Sequence, residues 1–355
     1  MKLGDVADIR IGTQLNKTSM VMTGEYPVMN GGVKPSGRHN QFNAEPDSIA
    51  MSQGGASAGH VDIMPIRFWA GAHCCVVTSK TPDVLTKHLF HVLKKRQGIL
   101  MSSQTGGGHA IPGLRKAVLE NLEISPPPIK EQVEIARILD TFAELATELE
   151  KEATLRRKQY NHYRDQLLNF DDISPWGGVI KPLEELAEIK RGTSITRKDV
   201  EEGGIPVIAG GRKPAYFHNA SNRKGQTIFV AGSGAYAGYV TWWEQPIFVS
   251  DAFTVKPNAG ILPKYCFYCL QAKQQMIHKM KKGVGVPHVY PRDVAQLPIH
   301  IPHPNDTEKS LSEQTRIVSI LDKFHTLTNS LEVGLPREIE LRQKQYEYYR
   351  DKLVD

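Results

Sequence analysis

Two related stretches decide the fold of this chain. They are Glu131-Gln132-Val133-Glu134-Ile135-Ala136-Arg137-Ile138-Leu139-Asp140 and Glu313-Gln314-Thr315-Arg316-Ile317-Val318-Ser319-Ile320-Leu321-Asp322, and they lie 182 residues apart. Each follows a proline-rich segment, Pro126–Pro128 in the first case and Pro302–Pro304 in the second. Proline has no amide hydrogen and is tolerated only at the start of a helix, so each segment should end one element and precede a helix. Two helices with the same opening predict a duplicated chain.

The duplication extends outward from these helices over whole domains. Near the N-terminus, Leu3, Ala7, Ile9, Gly12 and Thr13 recur as Leu183, Ala187, Ile189, Gly192 and Thr193. The offset then becomes 179, pairing Gly31-Gly32 with Gly210-Gly211, Gly55-Ala56 with Gly234-Ala235, His109 with His288 and Pro112 with Pro291. After each helix start, Tyr163-Arg164-Asp165 returns as Tyr349-Arg350-Asp351. A solenoid needs at least three short units, so two long copies indicate a pseudo-dimer within one chain, with pseudo-twofold symmetry.

Each copy closes with a long helix that carries one apolar stripe. In the first helix the stripe is Ile138, Phe142, Leu145, Leu149, Ala153, Tyr160, Tyr163 and Leu167, mostly in steps of three and four, as in a coiled coil. The second helix has a similar stripe, interrupted at Gly334-Leu335-Pro336, where a kink or short break is predicted. Each stripe must be buried, and the other copy is the obvious partner. Chain order favours antiparallel packing, because each helix must return towards the start of the next half; two independent helical tails are the alternative.

Each copy opens with a region rich in glycine and proline. Apolar runs such as Cys74–Val77, Ile228–Val230 and Ile247–Val249 are typical of buried strands, and 85–95 and 265–282 are helix candidates. The predicted class is therefore α+β, with two globular domains joined by two long antiparallel coiled-coil helices. The predicted boundaries are 1–128 for the first globule, 129–170 for the first helix, 171–308 for the second globule and 309–355 for the second helix.

Composition narrows the possible partners and compartments. The 355 residues include 44 Lys and Arg against 38 Asp and Glu, a net charge of +6 that has the right sign for a polyanion partner. Neither a signal peptide nor a membrane-spanning run is found, so a cytoplasmic protein without a membrane partner is expected. Cys266 and Cys269 have the spacing of half a zinc site, but Cys74-Cys75 supplies no matching half. We therefore expect buried thiols and no metal.

The arrangement resembles the specificity subunits of type I restriction–modification systems. The resemblance rests on a globule followed by a proline-bounded Glu-Gln-x-x-Ile-x-x-Ile-Leu-Asp helix, with both repeated once over essentially the whole chain. The opening Leu-x-x-x-Ala-x-Ile followed by Gly-Thr also resembles the start of a target recognition domain. The family implies two target recognition domains, each reading one half of a bipartite double-stranded DNA sequence. It further implies helices that set the spacing and dock two methyltransferase subunits.

The resemblance also bears on chemistry. It implies a chain that is not itself an enzyme and binds no cofactor, with S-adenosylmethionine held by the partner methyltransferase. A restriction subunit, which is an ATP-dependent translocase and nuclease, is a further partner that the family allows.

Three polar loop clusters in each half are candidates for DNA contact. Base reading needs hydrogen-bonding side chains on exposed loops, and phosphate contact needs Lys, Arg and backbone amides. In the first half the clusters are Lys34, Arg38 and His39; Gln53, Ser57 and His60; and Ser103, Gln104, Thr105 and His109. In the second half they are Arg212, Lys213 and His218; Ser233, Tyr236 and Tyr239; and Lys281, Lys282 and His288. The halves differ at these positions on a shared frame, as two different half-sites require. The alternatives are a solvated turn for any one residue and a structural role for the shared histidines.

Two other functions remain as alternatives. A self-contained DNA methyltransferase would need an aromatic ring after its (Asp/Asn/Ser)-Pro-Pro motif to stack on a flipped base, and Pro128 occupies that place in Ser125-Pro126-Pro127-Pro128. A coiled-coil adaptor that binds only proteins is the second; it would show no salt-dependent retention on DNA. No GxxxxGK[ST] loop is present, so nucleotide hydrolysis is not expected here.

Overall fold

The computed structural model describes residues 1–102, 113–168, 178–211, 213–329 and 333–354. The predicted contacts Ser103, Gln104, Thr105, His109 and Arg212 lie outside the described residues. The chain forms two compact units. Unit 1 comprises Met1–Glu150 with Glu338–Asp355, and unit 2 comprises Lys151–Arg337. Each unit therefore combines one globule with parts of two helices that are distant in sequence, and the linear boundaries given above stay a prediction.

The described residues form mixed helix and sheet. The helices are α1 (Leu3–Val6), α2 (Thr86–Lys95), α3 (Gln97–Ser102), α4 (Lys116–Glu120), α5 (Ile129–Leu168), α6 (Leu183–Leu186), α7 (Pro263–Ala272), α8 (Gln274–Lys279), α9 (Pro291–Ala295), α10 (Thr307–Asn329) and α11 (Leu335–Leu353). The strands of the first half are β1 (Ala7–Ile11), β2 (Tyr26–Met29), β3 (Gly37–His39), β4 (Ser48–Ser52), β5 (Val61–Met64), β6 (Trp69–Ala70) and β7 (Cys74–Ser79). Those of the second half are β8 (Gly178–Pro182), β9 (Ala187–Arg191), β10 (Ile205–Ile208), β11 (Tyr216–His218), β12 (Thr227–Ala231), β13 (Val240–Trp243), β14 (Phe248–Val249), β15 (Ala252–Pro257) and β16 (Pro298–Pro302).

A four-stranded antiparallel sheet lies at the centre of unit 1. Its strand order is β1-β7-β4-β5, and a three-stranded sheet of order β3-β2-β6 accompanies it. Ile49 and Met51 belong to the apolar core shared with the helices, whereas Ala50 belongs to a second core shared with the smaller sheet. Successive side chains of a strand point to opposite faces, so β4 is buried on both sides. This explains why its central residues Ile49, Ala50 and Met51 are consecutively apolar rather than alternating with polar ones.

Unit 2 repeats this architecture strand for strand. Its central sheet has the order β13-β12-β15-β9, and its small sheet the order β11-β10-β14; β16 and β8 form an additional pair. Ile228 and Val230 pack towards the helices, while Phe229 and Ala231 pack towards the small sheet. The predicted α+β class and internal repeat are confirmed.

The long helices behave as their stripes predict. α5 is one continuous helix of 40 residues, whereas α10 ends at Asn329 and α11 begins at Leu335, so the break expected near Gly334 is confirmed. In unit 1 the first part of α5 packs against α11: Phe142 stacks on Tyr349 with ring centroids 5.2 Å apart, and Gln343 donates a hydrogen bond to Glu150 at 3.3 Å. The pairing of 142 with 349 and of 150 with 343 is antiparallel, as predicted.

The second part of α5 makes the equivalent contacts within unit 2. Tyr163 stacks on Phe324 of α10 with ring centroids 5.9 Å apart, and Tyr160 contacts His325. Leu168 lies in the same core as Ile317. The numbering again runs in opposite directions along the two helices, so the stripes pack against each other and are not independent tails.

A buried glutamine attaches each long helix to its globule. Gln132 has no exposed surface; its amide donates to the carbonyls of Asp83 at 2.8 Å and Pro127 at 2.7 Å, and its carbonyl accepts from the Leu85 amide at 2.9 Å. Leu85 is the N-cap of α2, where the first helical amides lack partners within the helix. The side chain therefore satisfies three backbone groups at once.

The same device recurs in unit 2. Gln314 is fully buried, accepts from the Leu262 amide at 2.8 Å, and donates to the Gly260 carbonyl at 3.0 Å and the Ser310 hydroxyl at 3.1 Å. Leu262 is the N-cap of α7. The repeated Glu-Gln motif is thus a structural junction between helix and globule.

The aspartate that ends the motif makes the second part of the junction. Asp140 accepts from Lys87 at 3.0 Å and from the fully buried His91 at 3.1 Å. Burial alone would raise the pKa of Asp140, but the hydrogen bonds from His91 and Lys87 outweigh it and hold this pKa below its usual value. In unit 2, Asp322 accepts from the Tyr268 hydroxyl and lies 3.6 Å from Lys264.

The four cysteines are free and buried. Cys74 and Cys75 belong to the two different cores on opposite faces of β7, and burial raises the pKa of each thiol to about 12. Cys266 and Cys269 lie in the core of unit 2 on α7. Across the described ranges, none of the helices is long and apolar enough to cross a membrane.

Candidate DNA interface

Two of the predicted contact clusters of unit 2 lie side by side. Three hydrogen bonds join loop 232–239 to loop 281–289: Val289 N–H to Gly232 O at 2.9 Å, Gly234 N–H to Pro287 O at 2.9 Å, and Lys281 Nζ to Ala235 O at 3.0 Å. We call these segments the paired loops. The polar side chains that the sequence assigned to separate clusters thus lie on one surface, which is held together by hydrogen bonds between the two loops.

The second of the paired loops ends in a tight turn. Lys282 and His288 exchange both backbone hydrogen bonds, at 2.9 and 2.8 Å, and so close a turn over 283–287. Gly283 has φ +110° and Gly285 has φ +95°, a backbone conformation that side-chain-bearing residues rarely adopt. Between these glycines, Val284 is fully exposed. Its apolar side chain was not among the predicted contacts.

The predicted contacts on the paired loops differ in their availability. Tyr236 is exposed and its ring meets that of the half-buried Tyr239 edge-on, with centroids 6.5 Å apart. Lys282 is exposed and pairs with Asp293 at 2.8 Å. Ser233 is buried and donates to the carboxylate of Asp251, which argues for a structural role.

His288 is held within its own turn. Its Nδ1 lies 2.9 Å from the Val286 carbonyl, and its ring stacks with that of Tyr290. The imidazole therefore stabilises the turn that carries Val284, independently of any contact that it makes with DNA.

The first cluster of unit 2 is divided in the same way. Lys213 is exposed, whereas His218 is 8% exposed and accepts a hydrogen bond from the Glu201 amide at 3.1 Å. The His218 ring also packs edge-on against Phe248, with centroids 5.5 Å apart. Its burial favours the structural alternative that the sequence left open for the shared histidines.

In unit 1, the second cluster lies on loop 53–60, which is shaped by two backbone hydrogen bonds. The Ala58 amide donates to Gly55 O at 3.0 Å and the His60 amide donates to Ser57 O at 2.9 Å. Gln53, Ser57 and His60 are all partly exposed. Burial lowers the pKa of His60, and nearby Lys94 lowers it further, so the imidazole is neutral near pH 7. A neutral imidazole has one donor and one acceptor nitrogen, which suits base reading.

The first cluster of unit 1 contains two exposed cations, one of them restrained by backbone carbonyls, and a restrained histidine. Lys34 is exposed. The Arg38 guanidinium donates to the Gly24 carbonyl and, at 2.6 Å, to the Glu25 carbonyl. His39 lies 3.0 Å from the Ser19 carbonyl through Nδ1 and meets the Trp69 ring edge-on.

The structure corrects one detail of the internal repeat. Leu114 donates to Gln53 O at 2.8 Å, as Val289 donates to Gly232 O at 2.9 Å, and each lies just before a short helix, α4 or α9. Val289 follows Leu114 by 175 residues, whereas Gly232 follows Gln53 by 179. The third loop is therefore four residues shorter in unit 2, and the pairings of His109 with His288 and Pro112 with Pro291 are wrong. Glycine-rich loops differ in length without disturbing the scaffold, so short sequence matches across them mislead.

Comparison with known proteins decides the family. The type I restriction modification DNA specificity domain matches the chain twice, over residues 1–156 and 175–341. This chain belongs to that family. The two matches coincide with the two halves of the internal repeat, so the resemblance recognised in the Glu-Gln and Ile-Leu-Asp motifs is confirmed.

Relatives that match this chain in sequence are named as type I specificity subunits. The EcoR124I/EcoR124II specificity subunit of Escherichia coli is 35% identical over 241 residues, which are 62% of this chain and 58% of that protein. A putative type I restriction enzyme specificity subunit of Haemophilus influenzae is 32% identical over 312 residues, which are 81% of this chain and 77% of that protein. The chain thus spans less than two thirds of the length of the first and about three quarters of the second.

Solved structures agree on the fold. The type I restriction-modification S subunit of M. genitalium superposes with a TM-score of 0.70 at 23% identity, over 100% of this chain and 95% of that one. A chain from a study of complex assembly and conformational transition of the type I R-M system superposes with a TM-score of 0.62 at 15% identity, over 99% and 96%. The predicted fold of the specificity subunit is confirmed, while the individual DNA contacts stay predictions.

Proposed function

We propose that this chain is the DNA-reading subunit of a type I restriction–modification complex. Each globule reads one half of a bipartite double-stranded target, and the long helices set the unread gap and dock two methyltransferase subunits. Methyl transfer from S-adenosylmethionine belongs to those partners, and this chain is not catalytic. A translocase and nuclease subunit is a further partner of the same assembly.

One observation carries this proposal. The two units build the same loop from the same backbone hydrogen bonds: Ala58 to Gly55 and His60 to Ser57 in unit 1 recur as Ala237 to Gly234 and Tyr239 to Tyr236 in unit 2, at 3.0 and 2.9 Å in both. The side chains on this shared turn differ, with Ser57 and His60 in one unit and two tyrosines in the other. Sequence is read by hydrogen bonds and apolar contacts to base edges. A constant frame with variable polar side chains is what reading two different half-sites requires.

The lysines of each candidate surface are suited to contact with the phosphate backbone of DNA. Lys34 and Lys213 are exposed at matching places, and Lys281 and Lys282 directly precede the turn of unit 2. Lysine provides sequence-independent attraction to phosphates, and its contribution falls with salt. Positioning by lysine and discrimination by the other side chains are thus separable in experiment.

The helices offer surface for a protein partner. Val133 and Leu155 on α5 are 51% and 63% exposed, and Leu341 on α11 is 48% exposed. Covering such apolar side chains with a protein partner would be favourable, so these helices provide surface on which a partner could dock. An adaptor that binds only proteins would share this feature, so DNA binding has to separate the two functions.

Methylation mapping tests the proposal directly. The chain is co-expressed with its methyltransferase subunit, and methylated positions are mapped over the genome of the host. Exchanging loop 53–60 for the side chains of 232–239 should change one half of the mapped target and leave the other half intact. The reciprocal exchange is the matched control and should change only the other half.

Purified components complete the test. The chain alone should transfer no methyl group from S-adenosylmethionine to DNA, and adding the methyltransferase subunit should restore transfer. A single exchange that alters both halves of the target would disprove the two-reader arrangement. Methyl transfer by the rigorously purified single chain would disprove the non-catalytic assignment.

A further inference from the structure

We infer that Val284, at the tip of the paired loops, reads a thymine in the second half-site through the 5-methyl group of that base. This rests on the proposed function, because it presumes that unit 2 contacts DNA. It adds a specificity-determining residue and a constraint on the target sequence: the half-site read by unit 2 contains an A·T pair whose thymine methyl meets Val284.

The turn presents Val284 in a fixed position. Its base is closed by the two hydrogen bonds between Lys282 and His288, and the His288 ring holds the Val286 carbonyl at 2.9 Å. From the neighbouring loop, the Gly234 amide donates a hydrogen bond to the Pro287 carbonyl at 2.9 Å. A side chain added at Gly283 would come within 3.0 Å of the Val286 carbonyl, so the turn is as tight as a glycine permits. An apolar tip on a pinned turn is pre-organised, which lowers the entropy lost on binding.

The shape of the turn favours the major groove. Two chain segments closed by one pair of backbone hydrogen bonds form a narrow ribbon, and the major groove is wide enough, at about 12 Å, to admit a two-stranded ribbon. The minor groove, at about 6 Å, is too narrow for it. Lys281 and Lys282 stand at the base of the ribbon, where the phosphates that border the groove would lie.

Within the major groove, the partner of an apolar tip is defined by chemistry. The exposed edges there are mainly hydrogen-bond donors and acceptors, and the methyl group of thymine is the largest apolar group among them. Valine has no hydrogen-bonding atom in its side chain, so placing Val284 against any other edge would remove water from a polar atom and offer nothing in return. The thymine methyl is the feature of an unmodified base pair that gains from contact with Val284.

Thymine-to-uracil substitution tests this contact one methyl group at a time. The complex of this chain with its methyltransferase subunit is titrated with duplexes carrying the mapped target. Each thymine of the second half-site is replaced in turn by deoxyuridine. One replacement should weaken binding by wild type about fourfold, which corresponds to about 0.8 kcal/mol for one buried methyl or methylene group.

Two valine variants locate the effect. Val284→Ala should bring the thymine-to-uracil ratio at that position below about twofold, because the apolar contact is shortened. Val286→Ala, two residues away in the same turn and also exposed, is the matched control and should keep the fourfold ratio. Neither variant should change the melting temperature, since neither side chain is buried.

The outcomes separate this inference from the function on which it rests. If wild type binds a bipartite site but no thymine in the second half-site is sensitive to loss of its methyl group, Val284 is not a thymine reader. The same holds if Val284→Ala keeps the fourfold ratio or if Val286→Ala removes it. If the wild-type complex neither binds nor methylates a bipartite site, the proposed function itself fails, and the inference with it.

Discussion

Replacing Gln132 by leucine should loosen the attachment of α5 to the first globule. The side chain has no exposed surface, and it satisfies the Leu85 amide and the carbonyls of Asp83 and Pro127. Leucine is close to glutamine in volume, so the variant removes the hydrogen bonds and leaves little cavity. The three backbone groups then lose their partner.

The size of the effect follows from these contacts. A hydrogen bond within a protein contributes a net 0.5–1.5 kcal/mol, roughly, and three are lost, so unfolding of unit 1 should require about 3 kcal/mol less free energy. Gln314→Leu removes the equivalent contacts with Leu262, Gly260 and Ser310 in unit 2 and should cost a similar amount there. The paired variants thus assign the same motif to two separate units.

Native-state hydrogen exchange along a urea series measures both effects, because it reports each unit separately where a single unfolding curve would merge them. Q132L should speed exchange in α2 and the β1-β7-β4-β5 sheet, and Gln314→Leu in α7 and the β13-β12-β15-β9 sheet. Gln166→Leu, at an exposed position on α5, is the control and should change little. A change below about 0.5 kcal/mol for Q132L would refute the anchoring role of the motif.

Three further predictions concern stability, backbone contact and spacing. Burial lowers the pKa of His88 to about 4, and the neighbouring His91 contributes to the same lowering. The unfolded state therefore takes up the proton first, so the free energy of unfolding should be at its full value above about pH 6.5 and should fall between there and pH 4. His88→Met should flatten that part of a stability–pH curve. Lys213→Ala, at an exposed lysine, should weaken binding to all DNA sequences and lower its salt dependence, which a titration at several salt concentrations checks; an unchanged slope would argue against phosphate contact. Four residues inserted between Ala153 and Arg157 should lengthen α5 by about 6 Å and change the unread gap of the methylated target and neither half-site; an altered half-site would contradict this.

The sequence predicted the scaffold well because its signals are local or repeated. Steps of three and four along 138–167 require a helix of that length, and α5 has it. Glycine and proline at 334–336 cannot continue a helix without cost, and the break between α10 and α11 is there. The duplication needs no structure at all, since two copies of one pattern within a chain imply two copies of one fold.

The candidate site was predicted less completely. The sequence placed six polar clusters on loops, and the structure brings two of them together in unit 2 through backbone hydrogen bonds between 232–234 and 287–289. Those bonds join backbone atoms, which every residue has, so they cannot be predicted from the pattern of side chains. The four-residue difference in loop length was hidden for the same reason.

What the sequence determined by itself is the architecture, a duplicated α+β chain with long helices, because hydrophobic periodicity and repetition are visible without coordinates. What only the tertiary structure decided is which side chains are available. His218 and Ser233 are polar and yet buried against Phe248 and Asp251, while Val284 is apolar and yet fully exposed. Polarity is a property of the residue, but exposure depends on which other segments pack against it, and those segments lie far away in the chain.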